Sequence, residues 1–62
     1  MNKEPTYKRE VFGYDYLTCI QYALRLLIGD LELAGLNPEK GTLSARYTKD
    51  DAKAVVWFEP DE

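Results

Sequence analysis

The fold is decided by residues 15–35, DYLTCIQYALRLLIGDLELAG. Asp15 is typical of helix N-caps, because a carboxylate accepts hydrogen bonds from the unpaired backbone N–H groups of a first turn. Gly35 can adopt the left-handed conformation that ends a helix, and Leu36 would then fold back towards Leu31. The stretch therefore predicts a single helix of about 19 residues, about 28 Å long.

The predicted helix is apolar over more than half of its circumference. Its polar positions form one narrow stripe, which contains Thr18, Arg25, Gly29 and Glu32, with Gln21 or Tyr22 beside them. We expect the line that faces a sheet to be Leu17, Ile20, Leu24, Leu27 and Leu31. An ordinary surface helix needs an apolar arc of only about 100°. Either the N-terminal segment covers the remainder, or a second copy or another protein does.

The chain of 62 residues is short enough to be one domain, residues 1–62. A chain of this length buries only about 60% of its unfolded surface, and is marginally stable without a staple or a partner. One cysteine excludes an internal disulfide, and the absence of histidine excludes a cysteine–histidine metal site. Self-association is the stabilising device that remains, so we expect a homodimer or a larger species.

Residues 42–48 and 52–58 predict a β-hairpin whose pattern specifies its register. If Thr48 lies opposite Lys53, one face is apolar: Leu43, Ala45, Tyr47, Ala54, Val56 and Phe58. The other face then carries Ser44, Arg46, Thr48, Lys53, Val55 and Trp57. A loop centred on Asp50–Asp51 or spanning residues 49–52 keeps this separation, whereas an odd-numbered loop destroys it.

The remaining segments complete a prediction of the α+β class, in the order (β)-α-β-β. One long amphipathic helix packs on a small antiparallel sheet with a C-terminal hairpin. Residues 6–12 are either a short edge strand or an extended arm. Residues 1–5 are expected to be a flexible N-terminus, and residues 59–62 an acidic tail.

Side chains suited to catalysis are scarce. Without histidine, neither Ser-His-Asp nor Cys-His chemistry is available within one chain. Cys19 lies in an apolar helical setting and is predicted to be a small buried side chain. The carboxylates have no spacing suited to a metal, and the glycines do not cluster into a phosphate-binding loop. We expect no enzyme activity, no catalytic or metal-binding residues and no cofactor.

The net charge of −3 comes entirely from Glu59, Asp61 and Glu62, because the other eight acidic side chains balance the eight basic ones. Nucleic-acid binding normally requires a basic excess, so it is not favoured. The polar N-terminus does not resemble a signal peptide, and the single cysteine suits the cytoplasm. Charged residues interrupt the apolar run of the helix, so a membrane span is not predicted.

Together these features predict a small non-enzymatic protein-binding module that acts by stoichiometric contact. It would be a regulator or inhibitor of a partner protein, of the accessory or phage type, and would self-associate. The predicted contact residues are Tyr7, Tyr22, Leu26, Leu33, Arg46, Val55 and Trp57, since tyrosine, tryptophan and arginine dominate binding hot spots. Trp57 has an alternative role, packed under Arg46.

The second functional hypothesis is a dimeric nucleic-acid-binding protein. It would use a basic and aromatic surface of the sheet, formed by Lys8, Arg9, Arg46, Lys53 and Trp57. Stacking of bases on an aromatic ring beside cations is the usual basis of such binding.

Overall fold

The computed structural model describes residues 7–61 and has an α+β fold, as predicted. Its elements, in chain order, are β1 (Tyr7–Phe12), α1 (Tyr16–Leu33), β2 (Gly41–Thr48) and β3 (Lys53–Pro60). The first segment is therefore a strand and not an extended arm. Residues 1–5, predicted to be flexible, lie outside the described residues, as does Glu62. Glu59 and Pro60, where the acidic tail was expected to begin, belong to β3.

The hairpin of β2 and β3 has the predicted register, with Thr48 opposite Lys53 and Leu43 opposite Phe58. Its loop has four residues, and the Ala52 N–H donates to the Lys49 carbonyl at 3.2 Å. Because side chains alternate along a strand, this even-numbered loop places Leu43, Ala45 and Tyr47 on the same face as Ala54, Val56 and Phe58.

The strand β1 pairs with β3, so the sheet order is β1-β3-β2 and β3 is the central strand. Ala54, Val56 and Phe58 of β3 are almost completely buried under the helix. The same face of β1 carries Arg9, which lies opposite Val56. One cation therefore lies on the helix side of the sheet, where the other residues are apolar.

Both ends of α1 lie close to the predicted positions. At the C-terminus the Leu36 N–H donates to the Leu31 carbonyl at 2.8 Å, and the Gly35 N–H donates to the Glu32 carbonyl at 3.0 Å. Gly35 has φ +74°, so this is the predicted Schellman motif. At the N-terminus Asp15 is the capping residue, but its carboxylate accepts from the Thr18 hydroxyl at 2.6 Å and not from a backbone N–H.

The buried row of α1 differs from the predicted line. It consists of Cys19, Ala23, Leu27 and Leu31, while Leu17 is 65% exposed and Ile20 and Leu24 are half-buried. Relative to the prediction the helix is rotated by about 60°, at 3.6 residues per turn.

The physical reason for this rotation is that small side chains let the helix approach the sheet. At Gly13 a Cβ atom would lie 2.6 Å from the Cys19 Sγ, so the chain enters the helix through a turn with no room for a side chain. The predicted role of Cys19 as a buried apolar residue is confirmed, at 5% exposure.

The helix crosses the sheet diagonally. Near its first turn Tyr16 contacts Tyr47 of β2, with ring centroids 5.4 Å apart. Near its last turn Asp30 accepts two hydrogen bonds from Arg9 of β1, at 2.6 and 2.8 Å. The helix therefore packs mainly on β1 and β3, because it lies close to β2 only near its first turn.

We expect Leu27→Asp to unfold the protein. Leu27 is fully buried, and burying an unpaired carboxylate costs several kcal/mol, comparable with the stability of about 5 kcal/mol typical of a small domain. Leu33→Asp is the matched control, because Leu33 is on the same helix and 90% exposed. Circular dichroism should show loss of helix for the first variant alone; equal unfolding of both would contradict the assigned core.

The ion pair of Arg9 and Asp30 should make stability depend on acid. The guanidinium holds the pKa of Asp30 below its ordinary value of 3.8. The stabilisation that this ion pair provides is therefore complete above pH 3.8, and it is lost as the pH falls through the lower pKa of Asp30 in the folded state. Urea unfolding should show that Asp30→Asn and Arg9→Gln each weaken this loss on acidification. If both variants kept the acid dependence of the original chain, the pair would contribute nothing.

Candidate protein-binding surfaces

The helix side of β2 is left largely uncovered. Leu43 is 36% exposed and Ala45 is also exposed, although Val56 and Phe58, directly opposite them in β3, are buried. This difference follows from the diagonal course of α1, which moves away from β2 after Tyr16. An apolar strip therefore lies beside the helix instead of beneath it.

The free edge of β2 adjoins this strip. Within residues 7–61 no strand pairs with the outer edge of β2, so its backbone donors and acceptors there are available. Edge strands are commonly protected by charges or proline. The other edge, β1, carries Lys8, Arg9 and Glu10 in succession, but β2 carries Arg46 alone.

The flank of α1 that begins at Tyr16 is also apolar. Ile20 and Leu24 follow Tyr16 at four-residue spacing, so they lie on the flank that begins against Tyr47. Ile20 and Leu24 are half-buried, and Leu43 and Ala45 of β2 are exposed. The Tyr47 hydroxyl donates to the Gly13 carbonyl at 2.8 Å, and desolvation raises the pKa of Tyr47. The ring of Tyr47 is therefore held in place at the end of β2 that the first turn of α1 contacts.

The opposite side of the sheet brings three predicted contact residues together. Val55 lies directly opposite Arg46, and Trp57 is two residues further along β3 on the same face. The Trp57 indole N–H donates to the Glu59 carboxylate at 3.2 Å, and the ring is half-buried. We name this surface, with Lys8, Glu10 and Lys53 around it, the outer sheet face.

The other predicted contact residues lie elsewhere. Tyr22 and Leu26 are one turn apart on α1, on the side towards β1, and Leu33 is exposed at the last turn. Tyr7 lies on the helix side of the sheet and packs against the core. The seven predicted residues therefore occupy separate parts of the molecule and do not form one surface.

The basic and aromatic surface of the second hypothesis is also divided. Lys8, Arg46 and Lys53 share the outer sheet face with Trp57. Arg9 lies on the opposite face and is bound to Asp30. Lys8 lies 3.7 Å from Glu10, so its charge is partly balanced.

A shallow apolar depression lies on the side of α1 that faces away from the sheet. It is lined by Gln21, Leu24, Arg25, Ile28, Gly29 and Glu32. At Gly29 an added Cβ would have no neighbour within 4 Å, so nothing in the described chain packs closely on it.

The sequence prediction missed Leu43, Ala45 and Ile28 as surface residues. It placed Leu43 and Ala45 under the helix, because an apolar face of a strand does not show which part of it a helix covers. The presence of only one charged residue in β2, Arg46, was the available signal of an open edge.

Among residues 7–61, no three side chains of the metal-binding types converge, and no helix is long and apolar enough to cross a membrane. No protein-family model matches the chain, and no curated protein or solved structure is detectably similar to it.

Proposed function

We propose that this protein is a small non-enzymatic protein-binding module that captures an extended segment of a partner protein along β2. Binding is stoichiometric and thereby regulates or inhibits the partner. The observation that supports the proposal is the combination, on β2, of a free backbone edge with an uncovered apolar side. This combination suits addition of a strand, in which backbone hydrogen bonds give affinity and alternate side chains give specificity.

The side chains of β2 indicate which kind of partner segment would fit. Side chains of an added strand alternate between the two faces of the sheet. Those directed to the helix side would meet Leu43 and Ala45 and should be apolar. Those directed to the outer sheet face would pass Arg46, which makes no ion pair within residues 7–61 and favours an acidic neighbour. The expected segment therefore alternates apolar with polar or acidic residues.

We also propose the cellular compartment in which the protein meets its partner. The single cysteine, Cys19, is buried on the sheet side of α1. A lone free cysteine suits the reducing cytoplasm better than an oxidising compartment. We therefore propose a cytoplasmic partner.

Nucleic acid is a less suitable ligand. Glu10 and Glu59 lie among the three cations of the outer sheet face, and Arg9 is on the other side. We expect no electrophoretic shift of single-stranded DNA even at low ionic strength. A shift that disappears with modest salt and also with Trp57→Ala would favour the nucleic-acid function instead.

Site-specific cross-linking tests the protein-binding proposal. A photoreactive residue at Ala45, on β2, should capture one protein species in cells, while the same residue at Lys8, on the β1 edge, should not. The captured protein, once purified, should form a complex that contains the two chains in equal numbers. Its binding should slow amide hydrogen exchange along β2, because new backbone hydrogen bonds form there.

Substitutions in β2 then test the same contact by affinity. Leu43→Lys and Arg46→Glu should each weaken the purified complex about tenfold, equal to about 1.4 kcal/mol, whereas Lys8→Glu should not. Thermal melting establishes that each variant is folded. Equal capture at Ala45 and Lys8, or unchanged affinity of both β2 variants, would contradict the proposal.

A further inference from the structure

We infer that the depression on the outward side of α1 is a self-association surface, on which the helix of a second copy packs antiparallel with Gly29 at the centre. This surface is separate from the edge of β2, and the inference does not depend on the identity of a partner protein. It gives the self-association predicted from the sequence a place and a geometry.

The first observation is that Gly29 has no role within the described chain. Glycine is among the least favourable residues for the interior of a helix. A Cβ at position 29 would meet nothing within 4 Å, and among the described glycines only Gly35 has a positive φ. Neither close packing nor backbone conformation in the protomer requires glycine there. Because glycine has no side chain, Gly29 would let the backbone of another helix come close to α1.

The second observation is the shape of the surface around Gly29. The depression runs between two rows of side chains at four-residue spacing, Gln21–Arg25–Gly29 and Leu24–Ile28–Glu32. Helices pack when a row of one enters a groove of the other. Ile28, which is half-buried, projects beside the gap at Gly29. A twofold axis between positions 28 and 29 would place each Ile28 against Gly29 of the partner subunit.

The third observation is that the charges match the same axis. Arg25 and Glu32 are both exposed and lie three and a half residues on either side of the midpoint between positions 28 and 29. In an antiparallel pair each Arg25 faces Glu32 of the partner subunit. Neither side chain makes an ion pair within residues 7–61. A parallel pair would instead place arginine against arginine.

These three observations favour a second copy over an unrelated protein. A twofold interface uses the same patch on both subunits, so the patch must complement itself in shape and in charge. The outward side of α1 meets both conditions. Ile28 projects beside the gap at Gly29, and Arg25 lies two turns from Glu32. Such an interface would also compensate for the small core of a chain of 62 residues.

The mass in solution, measured by sedimentation across a range of concentrations, should show a reversible dimer. Gly29→Leu should abolish the dimer, because its side chain would occupy the space of the other helix. The fold of the single subunit should be unchanged, because a side chain at position 29 has free space. Gly29→Ala, compared as a monomer at low concentration, should raise the melting temperature by about 5 °C.

Charge reversal tests the antiparallel geometry. R25E and E32R should each weaken the dimer about tenfold, because like charges then face each other. A mixture of the two variants should recover a dimer of near-original affinity, since every facing pair again has opposite charges. Only an antiparallel arrangement predicts that each single variant weakens the dimer and that the mixture returns to about the original affinity. In a parallel pair like charges already face each other in the original chain, so single reversals would change little and the mixture would bind more tightly than the original.

Three results would overturn the inference. They are a monomer at every concentration, a dimer that Gly29→Leu leaves intact, and charge variants that do not recover on mixing. Failure of the proposed function is distinguishable from these, because Leu43→Lys should leave the dimer unchanged while it weakens binding of the partner protein.

Discussion

The packing of Leu27 and Leu31 of α1 on Val56 and Phe58 of β3 is the contact on which the remaining structure depends. These four side chains are almost completely excluded from water, and they include the largest fully buried residues of the described chain. Only a central strand can offer a surface flanked on both sides, so β3 must lie between β1 and β2. The small side chains of Cys19 and Ala23 let the first half of the helix reach the same depth. Each surface considered above follows from where this contact places the helix.

The helix α1 does not cover all three strands of the sheet. It begins against Tyr47 of β2 and ends with Asp30 bound to Arg9 of β1, so the coverage of β2 decreases along the helix. The exposed part of β2 is apolar and lies at an unprotected edge. The outward side of α1 is of a different kind, since it combines Ile28 with a glycine gap and two opposite charges. An open edge suits an extended partner segment, whereas a self-complementary helix face suits a second copy.

Much of the fold was predictable because it depends on local signals. Gly35 and Leu36 form the expected helix end, and the register from Thr48–Lys53 to Leu43–Phe58 follows from alternation alone. The buried row of the helix was not predictable, because leucine and isoleucine are so numerous that several rows are apolar enough to be buried. The structure selects Cys19 and Ala23, smaller side chains, since close approach of the helix lets Val56 and Phe58 be covered. The predicted contact residues lie in four separate places, because they were chosen by residue type and not by position in the fold.

The sequence by itself left residues 6–12 open between a strand and an arm and did not extend β3 to Pro60, but it determined the helix, the ends of that helix and the pairing of the hairpin. These depend on residues near one another in the chain, through capping, turn length and alternation of side chains. Only the tertiary structure decided that β1 joins β3, that α1 crosses from β2 to β1, and that Leu43 and Ile28 remain accessible. These outcomes depend on volume and on distances between elements far apart in the chain. Hydrophobicity shows which side chains should avoid water, but the shapes of the packed elements decide which of them do.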